Sequence, residues 1–332
     1  MLNHTVRRVF RFDLRTAHRR SLRIVPRYPV KFWAILGAAF IIFQTVVFAR
    51  WVAHDGVHAT ASGGYYISTT EKITSWSTQG LILIVIIGLA GHFFRVSRET
   101  GHPTFLAMLC LAFGTTFWQD PIVNFGHPRY MSNRYALNVT TWGQFIPGWH
   151  SSDSRQAETI LAGSGLTYFV LVLWILIPLA FLNLLTRRAQ HGLASWSFLR
   201  VVTVTVPVGL VTEFIVESLW LRTGSFAYVG VNKTFAIFGG HWYQLPLVNL
   251  FIAPIIITLP SILLIWQAQR GDGQIWIWNG CERMTPWASI GFRLLATVGF
   301  ANLLILITTV GMATLYGHSD FPVDTPSYLR FQ

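Results

Sequence analysis

Residues 166–185 read LTYFVLVLWILIPLAFLNLL, an apolar run with no charged residue. About 20 such residues cross the hydrocarbon core of a bilayer as a helix. Two further runs, Leu81–Ala90 and Leu294–Val310, have the same character. Working outward from them, hydropathy predicts seven spans at about 31–53, 74–94, 103–125, 160–186, 198–220, 244–267 and 290–313. Backbone polar groups inside a bilayer must be satisfied within the chain, so each span is expected to be a helix. The expected fold class is therefore all-α: a polytopic membrane protein, a bundle of about seven transmembrane helices. Acids interrupt the third and fifth spans. Trp51, Trp76, Trp118, Trp196, Trp220, Trp242 and Trp266 lie near span ends, where aromatic belts form.

Composition leads to the same class. The chain has 332 residues, of which 52% are hydrophobic and 11% charged. An average soluble domain carries about a quarter charged residues. Arg7, Arg8, Arg11, Arg15, Arg19, Arg20, Arg23, Arg27 and Lys31 precede or open the first span, opposed only by Asp13. The positive-inside rule places such a tail in the cytoplasm. With an odd number of spans, the C-terminus is then expected outside. The expected organisation is a basic tail at 1–30, a transmembrane domain at 31–313 and a C-terminal tail at 314–332. The net charge of +12 reads as topology and attraction to anionic lipid; no nucleic-acid-binding fold accompanies it. About 30 residues precede the first apolar run and no typical cleavage site follows them, so a cleaved signal peptide is not expected. Cys110 and Cys281 fall on different parts of the bundle and are not expected to pair.

Of thirteen acidic residues, three fall inside apolar spans: Asp120, Glu213 and Glu217. A carboxylate at membrane depth costs several kcal/mol unless it is protonated, paired or wetted, which makes each a functional candidate. Glu213 and Glu217, four apart on a helix, share a face. Their mutual repulsion and desolvation favour a retained proton, the requirement for a general acid. The bland alternative pairs one of them with Arg222 or Arg50, or has it cap a neighbouring helix. Pro207 is expected to kink the same helix. Asp120 precedes Pro121 and shares a face with Asn124, and the bland reading there is a helix cap. Two long connections, at about 126–159 and 221–243, are rich in Trp, Tyr, His, Gly and Asn and read as structured caps. Trp118, Trp142, Trp149, Tyr228, Trp242 and Tyr243 flank the acids or lie in those connections. With Asn124 and Arg222 they are the expected substrate-binding residues, their rings suited to shielding a cation.

Several patterns are missing. There is no Asp-Asp-x-x-Asp cluster for a metal-bound diphosphate, no Gly-rich phosphate loop with Lys, no His-based zinc motif and no Gly-x-Ser-x-Gly elbow. The seventh span has no Lys for a retinal Schiff base. Neither a metal nor a cofactor is expected.

Three blocks carry a resemblance. They are Pro29-Val30-Lys31-Phe32-Trp33-Ala34, Trp118-Gln119-Asp120-Pro121 with Asn124, and Glu213 to Tyr228 with Glu217, Arg222, Gly224 and Tyr228. With these the chain resembles the AveC-like spirocyclase family of bacterial integral membrane proteins. The resemblance implies either spiroketal formation with dehydration on a polyketide, or the metal-independent protonation and cyclisation of an isoprenoid by related membrane-bound terpene cyclases. The expectation is a membrane-embedded cyclase using Brønsted acid catalysis on a lipophilic substrate, isoprenoid chemistry leading and spiroketal closure second. Glu217 or Glu213 is the expected donor, and Asp120 the residue that orients it or takes a proton at the end. The other classes open to the same acids are a proton-coupled transporter and a non-catalytic membrane scaffold.

Overall fold

The computed structural model describes residues 29–330 except 55, 62, 152–155, 189–191 and 272. Nearly all of the basic tail expected at 1–30 lies outside the described residues. Among those described, six helices are long and apolar enough to cross a membrane, or seven when one bent pair counts as a single span. The all-α polytopic reading holds.

The first helix, α1, runs Pro29–His54. Helix α2, Thr69–Thr100, starts from a capping box. In it, Ser68 Oγ accepts from Glu71 N at 3.3 Å, and the Glu71 carboxylate accepts from Ser68 N at 2.7 Å. Thr104 caps the short α3, Phe105–Phe113. Here the structure departs from a continuous third span. The chain bends by 50° at Gly114 and continues as a 3-10 helix over Phe117–Asn124. Gly114 permits the bend's packing: a Cβ there would meet the Phe169 ring at 2.3 Å.

The fourth span opens as a 3-10 helix, Gly165–Val172, and becomes α4 at Leu173–Arg188. Helix α5, Phe198–Arg222, is capped by Ser197 and passes through Pro207 as one α-helix. The sixth span comprises α6 Leu247–Ile252, a π turn Ala253–Thr258 and α7 Leu259–Arg270. Helix α8, Pro286–Leu315, places Pro at its first turn, where its missing N–H leaves nothing unbonded.

Connections alternate between the two ends of the bundle. At one end those after α1, after the bent third span and after α5 meet the C-terminal segment in a cap. Two-residue strands β1 Met131–Ser132 and β4 Phe226–Ala227 pair antiparallel and stitch the two long connections together. Strands β2 Asn138–Thr140 and β3 Ala157–Thr159 pair within the first, and β5 Ala236–Ile237 and β6 Leu245–Pro246 pair after α5. Backbone bonds Thr140 N to His58 O (3.1 Å), Arg134 N to Tyr328 O (3.1 Å) and Asn232 N to Tyr316 O (2.8 Å) close the cap. Val30 at the start of α1 instead donates to Asn279 O in the connection before α8. The two ends of the described chain therefore lie at opposite ends of the bundle.

Helices α1 and α8 cross through two glycines. A Cβ on Gly37 would stand 1.9 Å from Leu295 O, and one on Gly299 would stand 2.3 Å from Trp33 O. Small residues at such crossings let backbones approach when lipid supplies no hydrophobic drive to association. Gly299→Ala is expected to lower the detergent-solubilised protein's stability by about 1–3 kcal/mol, the usual scale of overpacking. Gly88→Ala on α2, whose Cβ meets nothing within 4 Å, is expected to leave the thermal melt unchanged or slightly raised. Equal melting of the two variants would refute the backbone contact.

Candidate active site

Asp120, Glu213 and Glu217 line one cavity of about 140 Å³. It lies under the cap, with Tyr130 and Gly163 from the first long connection and Phe226 and Tyr228 from the second in its wall. The three carboxyls come from two spans. Each is buried, and each accepts from a neutral donor on another element. Asp120 accepts from Ser164 Oγ and the Tyr168 hydroxyl, at the opening of the fourth span. Glu213 accepts from the Trp174 indole N–H. Glu217 accepts from the Tyr228 hydroxyl at 2.7 Å. Among the described residues, no Lys, Arg or His is in the lining. Among the described residues, no three His, Cys, Asp or Glu side chains are placed to hold a metal ion.

Asp120 and Arg222 are placed otherwise than the helix cap and the Arg222 pairing would have them. Asp120 sits inside the 3-10 helix rather than at its cap, because Ser164 and Tyr168 take up its oxygens. Arg222 lies over the rings of Phe238 and Tyr243, 4.6 and 4.7 Å from their centroids, where cation–π attraction holds it.

Two prolines shape the walls by leaving carbonyls without a helical partner. Pro178 lacks the N–H that would reach Trp174 O, and the Thr258 hydroxyl of the π turn supplies it at 2.8 Å. Pro121 likewise lacks the 3-10 donor for Trp118 O, and the Trp142 indole supplies that at 2.8 Å. Trp174 and Asp120 are thereby fixed by side chains from other segments.

Of the expected substrate-binding residues, the structure brings only Tyr228 to the cavity. Trp118 and Gln119 both donate to Asn302 Oδ1 on α8, at 2.9 and 3.0 Å. Trp142 packs among Phe48, Trp51 and Phe117. Asn124 closes a turn, its Oδ1 accepting from Arg129 N and Tyr130 N at 2.8 Å, which sets Tyr130 into the cavity wall. Trp149 packs against Gly143 and Phe125. The Trp242 backbone N–H donates to Asp324, and Tyr243 stacks on His241. These large rings build the cap because their flat faces fill it and their N–H groups find carbonyls. Cys110 and Cys281 are both buried and free.

Sequence reading missed a fourth buried acid. Glu158, on β3, is 3% exposed and accepts from Thr141 Oγ1 at 2.8 Å. Burial first, and the nearby Asp120 carboxyl second, push Glu158 well above the usual carboxylate range. Its sequence signal was the uncharged stretch on both sides, Gln156-Ala157 and Thr159-Ile160-Leu161-Ala162. It also missed Ser164, Tyr168 and Trp174. Burial, with Glu217 next, raises the Tyr228 phenol far above its normal value. Tyr228 therefore keeps its hydrogen and donates it.

Comparison with protein-family models matches residues 98–326 to the family described as Spirocyclase AveC-like. The chain belongs to the AveC-like spirocyclase family. The match begins at the end of α2 and takes in every residue named in the cavity and most of the cap. No curated protein and no solved structure matches the chain. Membership of this spirocyclase family supports a cyclase-type function in natural-product biosynthesis, on a small-molecule substrate.

A raised carboxyl gives a pH test. Native Glu158 holds its proton at pH values where the unfolded chain has released it, so stability falls as pH rises through the interval between the two pKa values. From about pH 5 to about pH 8, Glu158→Gln, which keeps the Thr141 bond, is expected to flatten the decline in melting temperature by up to one proton's worth of slope. Parallel wild-type and variant curves would show that Glu158 does not titrate in this range.

Proposed function

We propose that this protein is a membrane-embedded cyclase that closes rings by Brønsted acid catalysis on a lipophilic intermediate, with Glu217 as proton donor and Asp120 as proton acceptor. The observation that carries the reading is the convergence of Asp120, Glu213 and Glu217 in one mostly apolar chamber without a basic side chain. Carboxyls held by phenol and indole donors remain free to exchange a proton, which a tight Arg or Lys partner would oppose. Tyr228 orients Glu217, Trp174 orients Glu213, and Ser164 with Tyr168 orients Asp120.

In the isoprenoid reading, Glu217 protonates a terminal alkene or epoxide. The neighbouring double bond attacks the cation, forming the ring bond. Asp120 removes a proton from the final cation, and no net proton is consumed. Exchange with solvent between turnovers restores both carboxyls. Tyr130, Tyr168, Trp174, Trp220, Phe226 and Tyr228 present aromatic rings around the chamber, each worth about 0.5–2 kcal/mol to a cation over its face. The family description favours a second reading. There, Glu217 protonates a hemiketal hydroxyl of a polyketide, water leaves, a second hydroxyl closes on the oxocarbenium ion and Asp120 takes its proton.

Offered a linear isoprenoid epoxide and a polyketide dihydroxyketone in turn, the purified protein is expected to cyclise one of them. Glu217→Gln should fold normally and lose at least about a hundredfold in rate, the usual scale of general acid catalysis. Glu217→Asp should retain a fraction of the wild-type rate. Gln variants of full activity at all three acids would refute the acid mechanism.

The basic tail at 1–30 and the transmembrane and C-terminal segments at 31–313 and 314–332 are proposed as one membrane unit with its N-terminus in the cytoplasm. The opposite placement of Val30 and Tyr328 on the bundle supports the odd span count. Reporter fusions at the two termini are expected to read the cytoplasm at the N-terminus and the outside at the C-terminus. Signals from one compartment at both ends would contradict the topology.

A further inference from the structure

The acid chamber is too small for the substrates proposed for it. A cavity of about 150 Å³ accommodates a molecule the size of benzene, and this one has about 140 Å³. An isoprenoid or polyketide chain can place only its reacting end there. The remainder needs a second site in continuity with the first.

Such a site lies on the other side of two rings. A groove of about 280 Å³ runs between α2, the fourth span and α5, and it shares Trp174 and Trp220 with the chamber wall. Apart from the two tryptophans, its polar residues among those described are Thr78, Thr212 and Thr223. Each of their hydroxyls donates to its own helix, at Thr74 O, Val208 O and Trp220 O. The groove therefore offers hydrocarbon walls whose threonine hydroxyls are all engaged, which suits an aliphatic chain and disfavours a polar ligand. Its rim is open: Leu81 is 61%, Ile177 43% and Leu219 64% exposed, all on helices long and apolar enough to cross a membrane.

The shared wall is asymmetric. Trp174 is held by Glu213 through its N–H and by Thr258 through its carbonyl. Trp220 lies 6.4 Å from it, ring centre to ring centre, tilted by 35°. Its indole N–H is buried with no partner. One ring is fastened, and the other has a donor free for an oxygen of the passing substrate.

We infer that this groove is the lateral portal and chain-binding site of the enzyme: the substrate's hydrocarbon chain enters it from the bilayer and passes its reacting end to the acids as the Trp220 ring, which no hydrogen bond fastens, turns aside. The inference rests on the proposed acid-cyclase reading of the chamber. Photolabelling tests it separately from catalysis. The full chain is placed in phosphatidylcholine nanodiscs with a diazirine-bearing linear isoprenoid alcohol of sesquiterpene length, and labelled residues are mapped by mass spectrometry.

Labelling is expected at Leu81, Val216 and Leu219, competed by unlabelled alcohol. Val216→Trp, which fills the groove, should reduce it by at least about tenfold. Leu219→Trp, at the exposed rim, should do the same if the first variant folds poorly. Glu217→Gln should label like wild type, so a failed acid mechanism with intact labelling leaves the portal standing. Labelling spread evenly around the lipid-facing belt would overturn the inference and make the groove ordinary lipid contact. Labelling of Tyr228 or other chamber residues that both Trp variants leave unchanged would overturn it too, with access through the cap instead.

Discussion

Carboxyl groups buried among apolar helices need hydrogen-bond donors, and here neutral side chains supply them. Ser164, Tyr168, Trp174, Tyr228 and Thr141 serve Asp120, Glu213, Glu217 and Glu158. Each bond joins different elements, so the acids tie the bent third span, the fourth span, α5 and the cap to one another. A buried ion pair would supply similar cross-links, but it would fix the carboxylate in its charged form and impose the desolvation cost of two ions. Neutral donors leave the proton available. The same bonds that hold the helices together thus set the chemistry the chamber can perform.

The walls depend on a second set of unsatisfied groups. Proline within a membrane helix frees a carbonyl that must find a donor nearby. Trp174 O, freed by Pro178, takes the Thr258 hydroxyl, and Trp118 O takes the Trp142 indole. Buried Arg129 acts alike at the end of the 3-10 helix, donating to Phe125 O at 2.9 Å and to Gly317 O at 3.0 Å. The cap is therefore fastened to the ends of the spans by donors that meet otherwise orphaned carbonyls. The cap's rings and cations have a structural use before any catalytic one.

The difference between legible and illegible parts follows from this. Span number and placement were legible because hydrocarbon thickness imposes a length and a composition on every crossing segment. The three intramembrane acids were legible because a charge inside such a segment stands out, and the four-residue spacing of Glu213 and Glu217 set them on one face. Glu158 was not, because an acid in a loop reads as solvated until the fold above it is known. Trp118, Trp142 and Trp149 were read as ligand-binding from proximity in sequence, whereas their partners, Asn302, Trp118 O and Gly143, are fixed by tertiary packing. Pro207 leaves α5 continuous and Pro121 sits within a 3-10 helix, while the third span bends at Gly114; residue type alone does not distinguish those outcomes.

Three departures from α-helical geometry converge on the chamber. Asp120 and Val123 reach it from a 3-10 helix, Thr167, Tyr168 and Leu171 from a second, and Ala253 and Ile257 from the π turn. Irregular backbone at membrane depth is tolerated where it lines a cavity or is buried in protein, and is excluded where it faces lipid. A regular bundle of these spans would pack its apolar faces together and leave the acids without room for a substrate. Departures in three spans at one place instead hold the helices apart beneath the cap and turn Asp120 toward donors on the fourth span. The regular helices α1 and α2 supply scaffold and outer wall, while α8 closes one side of the chamber with Ile305, Thr308, Thr309 and Met312. Hydropathy measures what the regular parts share, so it gives the bundle; the chamber forms where three irregular spans meet the acid-bearing face of α5 and one side of α8.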